Sequence, residues 1–172
     1  MDQYSIEQLI MAGIVPVLFA ITLHEVAHGW AARQLGDDTA ERLGRLSINP
    51  IHHIDPVGTV LIPGLMIALK TGFMFGWAKP VPVDFGRLRN PRRDMALVAI
   101  AGPAANLLMG IFWALVARGA GLLAEGNAYA DPLMLMSTIG ILFNAMLALV
   151  NLIPLPPLDG GRLLVGILPY HL

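Results

Sequence analysis

The chain has 172 residues, of which 56% are hydrophobic and only 13% charged, about half the charged share of an average soluble protein. That deficit excludes a water-soluble globular domain and places the chain in the membrane class. Its net charge of −1 gives no case for a nucleic-acid partner. With no cysteine there is no disulfide, thiolate zinc finger or cysteine nucleophile, so any metal must be held by His, Asp or Glu.

The N-terminus, MDQYSIEQLI, is acidic at Asp2 and Glu7 and lacks the basic start of a signal peptide. The apolar run behind it is therefore expected to stay on the mature protein as an anchor. Uncharged from Leu9 to Leu23, this run predicts a first transmembrane helix over residues 9–33, since a crossing takes about 20 apolar residues. It reaches that length only by taking in His24, Glu25 and His28. A second apolar stretch, Pro56–Leu69, has 14 residues, which is short for a crossing, and is broken by Gly58, Pro63 and Gly64. TGFMFGWAKPVPV follows, where Pro80 and Pro82 favour extended chain over helix. Uncharged segments at Met95–Ala117 and Pro132–Leu158 predict two more helices, over 94–118 and 132–153. Beyond Asp159 and Arg162, LLVGILPYHL opens a further apolar stretch.

Orientation follows from the arginines. Arg87, Arg89, Arg92 and Arg93 lie just ahead of the 94–118 segment, and short loops rich in Lys and Arg stay in the cytoplasm. The first helix then ends inside, near Arg33, Arg42 and Arg45; the second leaves the cytoplasm and the third returns. Both flanks of Pro56–Lys70 become cytoplasmic, so residues 56–83 are expected to dip in and come back as a re-entrant, partly β-like hairpin. Irregular backbone at that depth needs cover from protein or a water cavity. The fold class expected is an all-α polytopic membrane protein, one domain over 1–172, with a three-helix core and that hairpin between its first two helices. The same parity brings HEVAH and PLPPLDGG to one face of the bilayer.

HEVAH, residues 24–28, has the H-E-x-x-H spacing of a zinc site. In a helix His24 and His28 stack on one face, so both imidazoles reach one ion. Glu25 lies about 100° round, close enough to take a proton from a metal-activated water without ligating. The bland alternative is a pair of interfacial histidines beside a snorkelling carboxylate. Against it, each ionisable residue central in a membrane helix costs about 2.5–3.5 kcal/mol on insertion scales, and three in five residues call for a compensating role. A catalytic zinc takes three protein ligands and one open position. Of His52, His53, His171 and the acids, Asp159 is the best third ligand. It lies just beyond a long apolar segment, on the face of HEVAH, where Pro154, Pro156 and Pro157 stop the helix and Gly160 and Gly161 let backbone approach. Capping the next short helix is a compatible second role.

Five motifs in order, HEVAHGWAA, GRLSINPIHHIDPVGT, FGWAKPVPV, RNPRRDMALVAIAGPAANLL and NLIPLPPLDGGRLL, run from about Leu23 to Leu168. Together they resemble the site-2 protease family of intramembrane zinc metalloproteases, and within it the compact bacterial branch without a PDZ domain. The loop Gly119–Asp131 is too short to hold such a domain. The resemblance implies a three-helix catalytic core hydrolysing peptide bonds within or near transmembrane segments of membrane proteins. It implies Zn2+ held by His24, His28 and Asp159, with Glu25 as general base. It also implies catalytic roles for Asn151, the family's asparagine, and for His53, its histidine in the NPIHHIDP motif. Asn151 suits hydrogen bonding to a substrate backbone or an oxyanion, and His53 the same tasks. The location implied is a prokaryotic inner membrane, multi-pass, with the site nearer the cytoplasmic face. Implied partners are transmembrane substrates such as anti-sigma factors or remnant signal peptides, the lipid bilayer, and a second copy in a homodimer. Members of this branch usually continue past GRLLVGILP, so 159–172 reads either as a truncated C-terminal segment or as a naturally short form.

The remaining polar residues read more plainly. Asn144 reads as helix–helix glue, and Gly102, Asn106 and Gly110 as a close-packing face with one interhelical hydrogen bond. His52 reads as a loop residue without a role, and His171 as inert. FGWAKPVPV is either structural filler or a strand edge on which an extended substrate could pair. Two other classes of function use the same residues. A metal-ion transporter or sensor would use the His/Asp site in transit, with exchangeable ligands and internal repeats, and no repeat is visible here. An inactive scaffold would have no use for an intact Glu25.

Overall fold

A computed structural model describes residues 4–71, 76–123 and 127–168. Asp2, the segment 72–75 with Phe75, part of the Gly119–Asp131 loop and the tail from 169, His171 included, lie outside the described residues. Three helices are long and apolar enough to cross a membrane: α1 (Ile6–Gln34), α4 (Pro91–Ala120) and α5 (Ala130–Asn151). Between α1 and α4 lie the short helices α2 (Thr39–Arg42) and α3 (Ile62–Ala68), and α6 (Asp159–Ile167) closes the described chain. Among the described residues none forms a strand, so the fold is all-α.

Local chemistry sets the helix starts, which fall earlier than hydropathy alone predicts. Ser5 and Gln8 form a capping box, each side chain accepting from the other's backbone N–H. Pro91 opens α4, where a missing N–H costs nothing, and Asp94 Oδ2 accepts from the Asn90 N–H at 2.8 Å. Pro16 and Pro103 sit inside α1 and α4, as membrane helices tolerate when neighbours cover the freed carbonyls. The 29 residues of α1 span about 43 Å, more than the roughly 30 Å of hydrocarbon.

α4 is the central helix and touches α1, α5 and α6. The packing is inverted relative to a water-soluble protein. The largest side chains sealed completely include Asn106, Asn144, Thr22 and Ser137, whereas Leu107, Leu108, Ile111, Phe112, Met146 and Leu149 face outward. In hydrocarbon there is no hydrophobic gain from burying leucine, and small or polar residues form the helix contacts. At Gly140 a Cβ would collide with the Trp113 ring, so that glycine sets how closely α5 approaches α4.

The hairpin region differs from a partly β-like one. Pro56–Leu61 is a π-helical turn running into α3, with Asp55 accepting from the Val57 and Gly58 N–H groups. The return arm, 76–84, is neither helix nor strand, and among the described residues it pairs with no strand. Its alternate N–H groups are taken singly: Trp77 by Gly58 O, Lys79 by His53 O, and Val81 by Glu25 Oε2. Of the intervening positions 78, 80 and 82, two are prolines and have no N–H to give a ladder. Any strand added there would meet acceptors and few donors.

One buried carboxylate ties this arm to the end of α1. Asp37, fully buried, accepts from the Thr39 N–H, the Thr39 hydroxyl and the Asp84 N–H. Around it, Arg42 and Arg87 pair with Asp38 and Arg33 with Glu41. Burial favours the neutral acid of Asp37. The bonds from Thr39 and the Asp84 N–H, with Arg87 nearby, outweigh it and hold the carboxyl below its usual range. A depressed folded-state value gives stability that is full above the unfolded value, about 4, and lost as pH falls through the folded one. Asp37→Asn is therefore expected to cost about 1–3 kcal/mol in detergent at neutral pH, with the gap from wild type closing at more acid pH. Thermal melts of both proteins across pH check this, and equal melting points at pH 7 would remove the role.

Candidate metal centre

His24 and His28 lie on the buried face of α1, one turn apart, with ring centroids 4.7 Å apart and planes at 87°. Their Nε2 atoms are 3.1 Å apart. Asp159 Oδ2 lies 3.2 Å from the first and 3.1 Å from the second. All three residues are at least nine-tenths buried. Ligands 2.0–2.1 Å from a tetrahedral zinc are about 3.3 Å from one another, so the three atoms already form nearly one face of such a site. Among the described residues they make the one His/Asp/Glu group whose ligand atoms could hold a metal ion.

Hydrogen bonding fixes which nitrogens are available. His28 Nδ1 is 2.7 Å from Val98 O, a carbonyl that can only accept, so Nδ1 carries the proton and Nε2 the lone pair. His24 Nδ1 is 2.6 Å from Asn106 Oδ1 and is a donor in the same way. Two Nε2 lone pairs and a carboxylate oxygen therefore face each other in a sealed pocket. Lone pairs at this spacing repel unless a cation lies among them, and two imidazoles with a carboxylate are a zinc donor set.

Asp159 reaches the pocket through the turn after α5. Proline-rich residues 152–158 end that helix, and Gly160 and Gly161 lie where a Cβ would strike the backbone of Leu152, Ile153 and Leu155. Leu158 occupies the N-cap of α6, and the Asp159 side chain makes no capping bond. Its carboxylate is given to the imidazoles alone.

The other residues singled out in the sequence make separate contacts of their own. Glu25, half-buried, accepts from the Val81 N–H at 2.7 Å, so the 76–84 arm grips its carboxylate. Asn151 donates one amide N–H to Leu147 O, a turn back on its own helix. His53 is buried and donates through Nε2 to Ser47 O at 2.7 Å, leaving Nδ1 buried without a partner. His52 is exposed. Three contributors escaped the sequence reading: the Val98 carbonyl, Asn106 and Gly102. A Cβ at Gly102 would run into both imidazoles. The spacing of Gly102 and Asn106 on one face of α4 is the signal in the sequence, and spacing alone reads as packing.

Gly102→Ala should therefore empty the centre while leaving α4 helical, alanine being the better helix former by about 1 kcal/mol. The expected result is unchanged far-ultraviolet circular dichroism with bound zinc well below one per chain. Full zinc occupancy would contradict the packing described.

No family model and no solved structure matches the chain. Curated relatives do. It is 42% identical over 158 residues to "Putative zinc metalloprotease YwhC" of Bacillus subtilis (strain 168), covering 91% of this chain and 68% of the relative. It is 33% identical over 147 residues to "Putative zinc metalloprotease Rip2" of Mycolicibacterium smegmatis, covering 83% of this chain and 52% of that one. The Rip2 of Mycobacterium tuberculosis is 30% identical over 165 residues, covering 91% and 59%. Identity of 42% over nine-tenths of this chain and two thirds of that relative carries one conclusion about descent: the chain belongs to the site-2 protease family of zinc metalloproteases.

Proposed function

We propose that the protein is a zinc-dependent intramembrane endopeptidase, cutting peptide bonds within or near transmembrane segments of membrane proteins. The observation that carries this reading is the convergence of His24, His28 and Asp159 in a helix bundle whose outer surface is apolar. A metal centre enclosed in that way serves substrates that share the hydrocarbon. Zinc, when bound, supplies a Lewis acid that brings the pKa of water towards 7 and polarises a carbonyl.

The chain's own groups do the rest. The Val81 N–H holds Glu25 Oε2 and orients the carboxylate. Glu25 takes the proton of the attacking water as general base and returns it to the leaving amine. Asn151 spends one amide N–H on Leu147 O and has a second for the oxyanion. His53, with Nε2 already donating to Ser47 O, is the candidate second contributor to substrate binding. The described residues of 56–71 and 76–83 serve as the re-entrant element, and water reaches the site from the cytoplasmic face of a prokaryotic inner membrane. Anti-sigma factors and remnant signal peptides are the candidate substrate classes, and a homodimer the candidate assembly. The transporter alternative requires ligands spaced along a path, whereas the described residues concentrate them in one cluster.

In detergent, with a model transmembrane substrate, Glu25→Gln should keep one zinc per chain and lose cleavage by about 10²–10⁴-fold. His24→Ala and Asp159→Ala should lose the zinc as well. Wild-type cleavage by Glu25→Gln would overturn the mechanism.

A further inference from the structure

We propose that Asn106, backed by Asn144, is a positioning residue of the metal centre: it locks His24 in the tautomer that keeps an Nε2 lone pair on the ion. This rests on the zinc reading above. The hydrogen bonds run in one direction only. Asn144 Nδ2 donates to Gly140 O at 2.8 Å, which turns its Oδ1 towards Asn106. Asn106 Nδ2 donates to that Oδ1 at 3.0 Å and to Ala20 O at 3.1 Å. Both backbone carbonyls can only accept, so neither amide can flip without setting oxygen against oxygen. Asn106 Oδ1 is thereby presented to His24 Nδ1, 2.6 Å away, and that nitrogen must carry the proton.

The alternative tautomer is a real competitor. Free neutral histidine prefers the proton on Nε2, and that form would aim an N–H at the metal. Both asparagines are completely buried, so water cannot replace the acceptor. His28 is held by a backbone carbonyl, Val98 O, which no substitution removes, whereas His24 depends on a side chain. That dependence distinguishes Asn106 from interhelical glue. Packing alone does not require a carboxamide oxygen against a ligand's rear nitrogen, and such rear partners hold metal ligands in orientation. The relay also joins three helices: Ala20 is on α1, Asn106 on α4 and Asn144 on α5. The ligand is therefore set only when the bundle is closed.

The test is zinc affinity by chelator competition on the full chain in detergent, with the melting temperature of the metal-free protein measured beside it. Asn106→Leu should weaken zinc by about 10–100-fold. Asn106→Asp still offers His24 an acceptor but loses the amide donor to Ala20 O and Asn144. It should melt lower than wild type yet bind zinc at least about tenfold more tightly than the leucine variant. If the two variants bind zinc equally, Asn106 serves packing only and the proposal falls. Should the leucine variant not fold, 15N spectra of histidine-labelled, metal-free wild type decide: a His24 proton on Nδ1 supports the proposal, and one on Nε2 overturns it. A wild type that binds no zinc removes the protease reading with it. Zinc-binding wild type and unaffected variants would remove the positioning role alone.

Discussion

Two imidazole nitrogens and one carboxylate oxygen, 3.1–3.2 Å apart and each aimed at the others, cannot share a dry pocket comfortably on their own. Burying a carboxylate among acceptors is costly unless a positive charge is placed with it. The rest of the molecule is arranged to hold these three groups in that relation. α1 supplies the histidines one turn apart, α4 presses its glycine at 102 between their rings, and the turn after α5 brings in the acid. Here the polar interior gives their meeting point a purpose.

The polar interior and the apolar exterior are one design. Helices in hydrocarbon gain little from burying leucine against leucine, so they associate through close backbone approach and interhelical hydrogen bonds. In this bundle both devices serve the centre. Gly102 and Gly140 bring α4 close to α1 and α5, and the Asn144–Asn106–His24 chain of bonds crosses all three helices. Outside the bundle, Asp37 and the arginine pairs pin the 76–84 arm so that Val81 meets Glu25.

Much of this was readable in the sequence, for particular reasons. The three long helices follow from uncharged length, and their starts shifted because Ser5 and Pro91, not hydropathy, decide them. Asp159 was legible because three prolines end a helix ahead of it and two glycines follow. Helix-turn spacing alone paired His24 with His28. The rest depends on partners far away in the chain. Asn106 reaches His24 across 82 positions, and Asp37 meets the Asp84 N–H across 47, distances at which no periodicity speaks. Pro80 and Pro82 argue against helix in the 76–84 arm, and the same prolines keep it from becoming a strand. His53 was singled out, yet only the structure says that its Nε2 is already committed to Ser47 O.

The most direct test of the central claim is X-ray absorption at the zinc edge of the purified protein. The account requires about one zinc per chain, with two imidazole nitrogens and at least one oxygen at about 2.0–2.2 Å, and loss of that shell in Asp159→Ala. A protein that holds no zinc, or a shell with one or three imidazoles that survives loss of the Asp159 carboxylate, would contradict it.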